Sequence, residues 1–589
     1  MVDVADAYTA LASSSFTADV SRVLQSIIAS EGSSALSVRA FDFDEPLTAP
    51  GFTVSQSSRT KLLKLLLSDI KSRGTDSRIS DENASQALLA VKMLGRHPQG
   101  SEYLASEAGL STLLSIATSL KERDDLNGSC EALKCIANAM LLFEDGRSTF
   151  ISEEVNGGEA CVKLLKQATT SDEIFIVSRI LFLASVSRSP FIVWLVEEDH
   201  DGESIGDIVG AKMELASAKY LKNTKASMGQ EAIADLLKFS FNLLLHYPKM
   251  VESEAQSSEA PAWSADEAKI MGDYWSPKLD GFLSPIVKLY LSLPPPDTEP
   301  TPLQPPLTSA IHGLITIPLN ETLRSKWFVT TGEGQPDVVE HTNTLLSKTL
   351  KFYFPGSESP DAESVRAFAT SKHPQDDLDD VLAPLIVLAT RLCIGDVSAR
   401  SRICSHIVPD DLDRDPERPL DERATLLGRC LRLMGSVYFK RLKESVGELL
   451  YAMCGQDAGV LCSKVGYGHV AGFLFEKGVM SAPDASNSTS ATVTEVTDEG
   501  AADEGSNRTG EEGESEMTFA GPSETRQVNP ITGTYVPETR SNPMDGMTEE
   551  EKEQEMEKLF VLFDRMEKTG ALSPEQNPVR KAIQKSMQQ

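Results

Sequence analysis

Apolar residues recur at three- and four-residue spacing through most of the first 475 positions. In TKLLKLLLSDI, Leu62, Leu63, Leu66 and Leu67 fall on one side of a 3.6-residue period. The same spacing runs through ASQALLAVKMLGR (84–96), GLSTLLSIATSL (109–120), EALKCIANAMLLF (131–143) and IFIVSRILFLASV (174–186). It continues in EAIADLLKFSFNLLLHY (231–247), LTSAIHGLITIP (307–318), DDVLAPLIVLATRLC (379–393) and TLLGRCLRLMGSVYF (425–439). Strand-like alternation is scarce. Each stripe is short and apolar on one face, so no such helix buries itself alone. The pattern predicts an all-α protein in which each helix packs on its neighbours.

Two segments share a texture: EALKCIAN and EAIADLLKFSFN both begin with Glu-Ala and end in asparagine, at Asn138 and Asn242. Small residues, aliphatics and a closing polar residue are the marks of armadillo or HEAT repeats, of which about ten would fit in 475 residues. Loops near 197–207 and 284–306 break the period. A non-repetitive helical bundle is the plainer alternative.

The composition then breaks. Residues 484–524 hold 11 Asp or Glu against one Arg, with many Ser, Thr and Gly. Such a stretch buries too little apolar surface to offset chain entropy and is predicted to be disordered. Beyond it, Thr548 and Glu551 form a capping-box pattern, and Met556, Leu559, Phe560 and Phe563 fall at i, i+3, i+4 and i+7. That is an amphipathic helix with nothing local to pack on, suited to a groove. The predicted organisation is a repeat solenoid over 1–475, an acidic and largely disordered linker over 476–541, and a C-terminal amphipathic helix with its tail over 542–589.

Charge narrows the partners. The 589 residues carry a net charge of −31, which disfavours nucleic acid and anionic lipid and favours a partner with a basic patch. No stretch has 18 apolar residues in a row, and the first residues lack the basic start and apolar run of a signal peptide. Eight cysteines without a CxxC pair indicate neither a disulfide scaffold nor a zinc site. No phosphate-binding loop, HExxH, GxSxG or EF-hand loop occurs, and GYGHVAG (466–472) has the wrong spacing for a dinucleotide loop. The expectation is a cytoplasmic protein that is not an enzyme, with no cofactor, no metal and no catalytic residue.

The segment from Asn529 to Lys568, NPITGTYVPETRSNPMDGMTEEEKEQEMEKLFVLFDRMEK, resembles the synembryn family in its NPxTG motif and in the NPMxGMTEE motif downstream of it. SKVGYGHVAGFLFEKGVM (463–480), EALKCIAN (131–138), SRILFLA (178–184), LLGRCLRLM (426–434) and VGELLYAMC (446–454) are similar to further family segments. Members of that family are exchange factors and folding chaperones for the α subunits of heterotrimeric G proteins.

The resemblance implies a right-handed armadillo/HEAT-like superhelix whose concave face holds the C-terminal helix of a Gα subunit. It further implies that the C-terminal amphipathic helix reaches the switch region, through Leu559, Phe560 and Phe563. Lys92 and Arg96 match two family arginines at i and i+4 on one helical face, and Arg179 and Arg400 match later ones. Asn138 and Asn242 stand where armadillo proteins hold a bound segment's backbone. Thr492 and Thr509, each with an acid three residues on, are candidate phosphorylation sites in the acidic region. The implied protein is a monomer that binds nucleotide-free Gα, promotes GDP release and reaches the plasma membrane through Gα. A passive armadillo scaffold or transport adaptor is the alternative.

Overall fold

The computed structural model describes residues 4–31, 54–73, 77–222, 228–255, 275–293, 301–328, 336–374, 376–479, 528–529 and 531–535. Among them the regular elements are helices, joined by one isolated antiparallel bridge between Val528 and Tyr535. The sequence expectation of an all-α protein holds.

The chain opens with α1 (Val4–Thr9) against α2 (Thr17–Glu31), α3 (Gln56–Lys71) against α4 (Ala84–Leu94), and α5 (Glu107–Glu122) against α6 (Leu126–Leu142). After the short α7 (Asp145–Phe150), α8 (Gly157–Gln167) pairs with α9 (Ser171–Ala184). Then come α10 (Pro190–Glu197) and the pair α11 (Ile205–Lys222) and α12 (Gly229–Ala255). Next are α13 (Leu283–Ser292) with α14 (Leu307–Leu314), the single turn α15 (Arg324–Trp327), α16 (Val338–Tyr353) and α17 (Glu363–Lys372). The array ends with α18 (Leu378–Gly395), α19 (Val397–Ile407), α20 (Leu426–Met434), α21 (Lys440–Met453), α22 (Ala458–Val465) and α23 (Tyr467–Glu476).

Two rows emerge from the packing. Helices α2, α4, α6, α9, α12, α14, α18, α21 and α23 each touch the next and form one continuous row. Beside it α1, α3 and α5 stack in order, as do α8, α11, α13, α16 and α20 further along. Hairpins stacked neighbour on neighbour are the arrangement of an α-solenoid. One apolar cluster, from Ala5 to Leu474, runs the length of both rows. Each fully buried Leu within it, such as Leu63 or Leu165, contributes about 1.5–3 kcal/mol.

Several helices are started by their own sequence. Ser106 accepts from the Gly109 N–H at α5, Asp125 from Gly128 at α6, and Thr170 with Glu173 closes a reciprocal capping box at α9. At helix α21 the N-cap, Phe439, makes no side-chain bond, and acids from elsewhere take its place. Asp379, from α18, accepts the N–H groups of Arg441 and Leu442, while Asp361 accepts those of Val437 and Tyr438. A helix start is thus completed from elsewhere in the chain.

The last described segment folds back on the end of the stack. The Gly468 N–H donates to the Ile531 carbonyl at 2.9 Å, and the Tyr535 N–H to the Arg414 carbonyl at 2.7 Å. The Arg414 guanidinium donates to the carbonyls of Gly533 and Lys464. Within the turn, Asn529 exchanges backbone bonds with Gly533 and Thr534, and its side-chain oxygen accepts from Ile531. Gly466 and Gly533, at φ +87° and +69°, meet backbone to backbone. A Cβ on Gly466 would lie 2.5 Å from the Thr532 carbonyl carbon, and one on Gly533 2.7 Å from Val465 backbone atoms. The GYGHVAG glycine at 466 is therefore the seat of an NPITGTY turn.

Candidate partner-binding face

Along the first row, charged side chains from successive helices meet in two joints of one design. At the α4–α6 joint, the Lys92 ammonium lies 2.5 Å and that of Lys134 2.8 Å from the two carboxylate oxygens of Glu131. At the α9–α12 joint, Arg179 Nε lies 2.6 Å and Lys238 Nζ 3.6 Å from those of Asp235. Each joint draws one cation from the preceding helix, and an acid and a second cation, three residues apart, from the next. The acid, the second cation and the closing asparagine share one spacing: Glu131, Lys134 and Asn138 in α6, and Asp235, Lys238 and Asn242 in α12.

Each joint gathers two cations about one carboxylate in a strongly acidic protein. Burial by itself would raise the Glu131 carboxyl; Lys92 and Lys134 outweigh it and hold the group below the usual carboxylate range. Lys92, Lys134 and Arg179 keep about 15% of their side chains exposed (16%, 15% and 15%), whereas Lys238 keeps 44%. Cations pinned in this way are pre-oriented toward a carboxylate or a backbone carbonyl, and partial burial strengthens their pull. Aromatic rings line the same stripe. Arg179 stacks over Phe175 at 5.2 Å, Lys238 lies 5.8 Å above Phe182, and Phe241 contacts His312 on α14 at 6.1 Å.

The sequence-selected residues fall in different places. Lys92 and Arg179 sit inside the two joints. Arg96 is exposed but lies two residues past the end of α4, which stops at Leu94 with Gly95 as its cap. The expectation that Lys92 and Arg96 share one helical face is corrected: the helix ends between them. Asn138 is half-buried and makes no side-chain hydrogen bond to any described residue. Asn242 is buried, and its amide donates to the Phe182 carbonyl and the Ser185 hydroxyl, both at 3.1 Å. That amide nitrogen closes the α9–α12 joint and is not free for a bound segment's backbone. Arg400, on α19, donates to the Cys393 carbonyl at 2.9 Å near the end of α18. Leu559, Phe560, Phe563, Thr492 and Thr509 lie outside the described residues.

Four residues of the face were not singled out from sequence: Glu131, Lys134, Asp235 and Lys238. Their signal was the shared acid-x-x-Lys-x-x-x-Asn spacing, visible when EALKCIAN is set against DLLKFSFN rather than against the upstream EAIA. No cluster of three or more metal-ligating side chains occurs among the described residues. Burial pushes the thiols of Cys130, Cys135, Cys161, Cys430 and Cys454 up to about 12, so they are inert at neutral pH. No described helix is long and apolar enough to cross a membrane.

The family described as guanine nucleotide exchange factor synembryn matches residues 87–587. The chaperone Ric-8A of Rattus norvegicus is 22% identical over 547 residues, covering 91% of this chain and 88% of that protein. The chaperone Ric-8A of Xenopus tropicalis is 28% identical over 219 residues, 36% of each chain. The chaperone ric-8 of Caenorhabditis elegans is 25% identical over 204 residues, 33% of this chain and 31% of its own length. With a match that runs through both joints and on past the docked turn, the chain belongs to the family of the guanine nucleotide exchange factor synembryn.

Proposed function

We propose that this protein binds the α subunit of heterotrimeric G proteins, promotes release of GDP and assists folding of the nucleotide-free subunit. Family membership supports the reading, and the observation that carries it is the paired cationic joint along the first helical row. The partner element suited to such a face is the C-terminal helix of Gα, whose carboxylates and terminal carbonyls meet Lys92, Lys134, Arg179 and Lys238. Asn138 supplies a backbone hydrogen bond, Arg96 and Arg400 flank the stripe, and the amphipathic segment with Leu559, Phe560 and Phe563 makes a second contact at the switch region.

No covalent step is required. A protein that binds nucleotide-free Gα more tightly than GDP-bound Gα must, by linkage, weaken GDP binding by the same factor. Holding the C-terminal helix away from the nucleotide pocket supplies that difference. The same grip shields an apolar helix of a partly folded GTPase from aggregation. The protein acts as a monomer in the cytoplasm, joins the plasma membrane through lipidated Gα, and is tuned by phosphorylation at Thr492 or Thr509.

The test is GDP release from purified Gα with and without this protein, repeated with a chain ending at residue 541. Faster release that weakens on truncation is expected. Tight binding with unchanged release would leave a scaffold, and absence of binding to any Gα would overturn the reading.

A further inference from the structure

The turn at Val528–Tyr535 is remote in sequence from what it touches. Some 50 residues separate it from Val479, the last described position of the solenoid. Even so, it lies against two structures at once: the loop carrying Arg414 and the α22–α23 junction at Gly466. Arg414 is the hinge of this contact. Its guanidinium spans from Gly533 to Lys464, and its own carbonyl receives the Tyr535 N–H. Burial lowers the pKa of the Arg414 side chain, while Thr534 is nearly fully enclosed at 5% exposure. The two glycines leave no room for a side chain on either strand of the contact. This is a built peptide site, filled in cis, rather than a passing touch of a tail.

The position of the turn sets the reach of the chain beyond it. Without this contact the tether from Val479 to Thr548, the predicted start of the amphipathic helix, would be about 70 residues; measured from Tyr535 it is about 13. Effective concentration at a nearby site falls roughly as the −3/2 power of tether length, so the shorter tether is worth about a tenfold gain.

We propose that the Asn-Pro-Ile-Thr-Gly turn is a latch that anchors the C-terminal segment to the end of the solenoid and so raises the local concentration of the Leu559, Phe560 and Phe563 stripe at the partner. This rests on the Gα-binding reading above. The latch adds no contact with the partner; it acts through chain length alone. Arg414, Gly466 and Gly533 are positioning residues.

Gly533→Val is the variant of choice, because it lies in the turn, outside every helix, and its Cβ would meet the Val465 backbone at 2.7 Å and Leu420 Cδ1 at 2.9 Å unless the turn lifts away. In the full-length chain it is expected to lower affinity for nucleotide-free Gα about tenfold with an unchanged melting temperature. In a full-length chain also carrying Leu559→Ser, Phe560→Ser and Phe563→Ser, the same substitution is expected to change affinity less than about twofold. Equal losses in both backgrounds, or no loss in the first, would overturn the latch. Hydrogen exchange reads the contact independently of any partner: the Gly468 and Tyr535 amides are expected to be protected in the parent and fast in Gly533→Val or Arg414→Ala. Fast exchange in the parent would overturn the latch even if Gα binds. A parent chain with protected amides that binds no Gα would overturn the function instead, and with it the concentration effect proposed here.

Discussion

At the α4–α6 joint, Glu131 keeps 12% of its side chain exposed and gathers two lysines, while Asn138 further along the helix stays open. At the α9–α12 joint, Asp235 keeps 1%, its nearer cation is an arginine, and Asn242 is bonded into the preceding helix. The spacing is shared and the depth is not. A shorter acid draws the second joint inward, where the asparagine finds the Phe182 carbonyl and Ser185. Only the acid lies shallower in the first joint; its two lysines are as covered as Arg179. One pattern therefore seats its asparagine in two ways: bonded into the preceding helix at α9–α12, and half-buried without a described partner at α4–α6.

The largest expected effect tests depth. Asp235→Ala strands the mostly buried Arg179 without its carboxylate and should lower stability by about 3–5 kcal/mol, read from the urea midpoint. Glu131→Ala should lower it by less, because the site vacated by Glu131, itself 12% exposed, lets the flexible lysine stems turn toward water, whereas Asp235 is 1% exposed. Equal losses would erase the distinction between the joints.

The asparagines come next. Asn242→Ala takes one donor from the Ser185 hydroxyl and one of three from the Phe182 carbonyl, and should remove about 0.5–1.5 kcal/mol. Asn138→Ala should stay within about 0.5 kcal/mol of the parent. Its effect should appear instead as a threefold to tenfold weaker hold on Gα, about one neutral hydrogen bond. A stability loss at Asn138 matching that at Asn242 would make both joints structural.

The smallest effect concerns pH. The folded-state pKa of Glu131 lies below its ordinary value of 4.5, so its stabilisation is present above that value and is lost as pH falls through the folded one. Glu131→Gln should therefore flatten the acid limb of stability below pH 4.5 and leave the slope between pH 6 and 8 unchanged. Urea midpoints across pH 3–8 would show it.

The sequence windows locate the helices of both joints well. ASQALLAVKMLGR holds α4, and EALKCIANAMLLF falls in α6, because apolar spacing and capping residues are local properties. The same windows misplace side chains. The 84–96 stripe suggested that Lys92 and Arg96 share a face, yet Gly95 ends the helix first. Asn138 and Asn242 looked equivalent, yet one is open and the other bonded. Arg179 was legible as a basic residue, but its acid lies 56 positions away on a helix whose neighbour is decided by stacking.

Local pattern was enough for the all-helical character, the short amphipathic elements that need neighbours, the acidic break at 484–524 and family membership. Periodicity, caps and composition act over a few residues, so they survive in a linear text. Only packing in three dimensions settles which cations meet Glu131 and Asp235, how deep each pair lies, that α21 is capped by Asp379, and that Gly533 seats on Gly466. Each depends on the free energy of taking a charge or a backbone group out of water, and that is set by whichever helix or turn lands beside it.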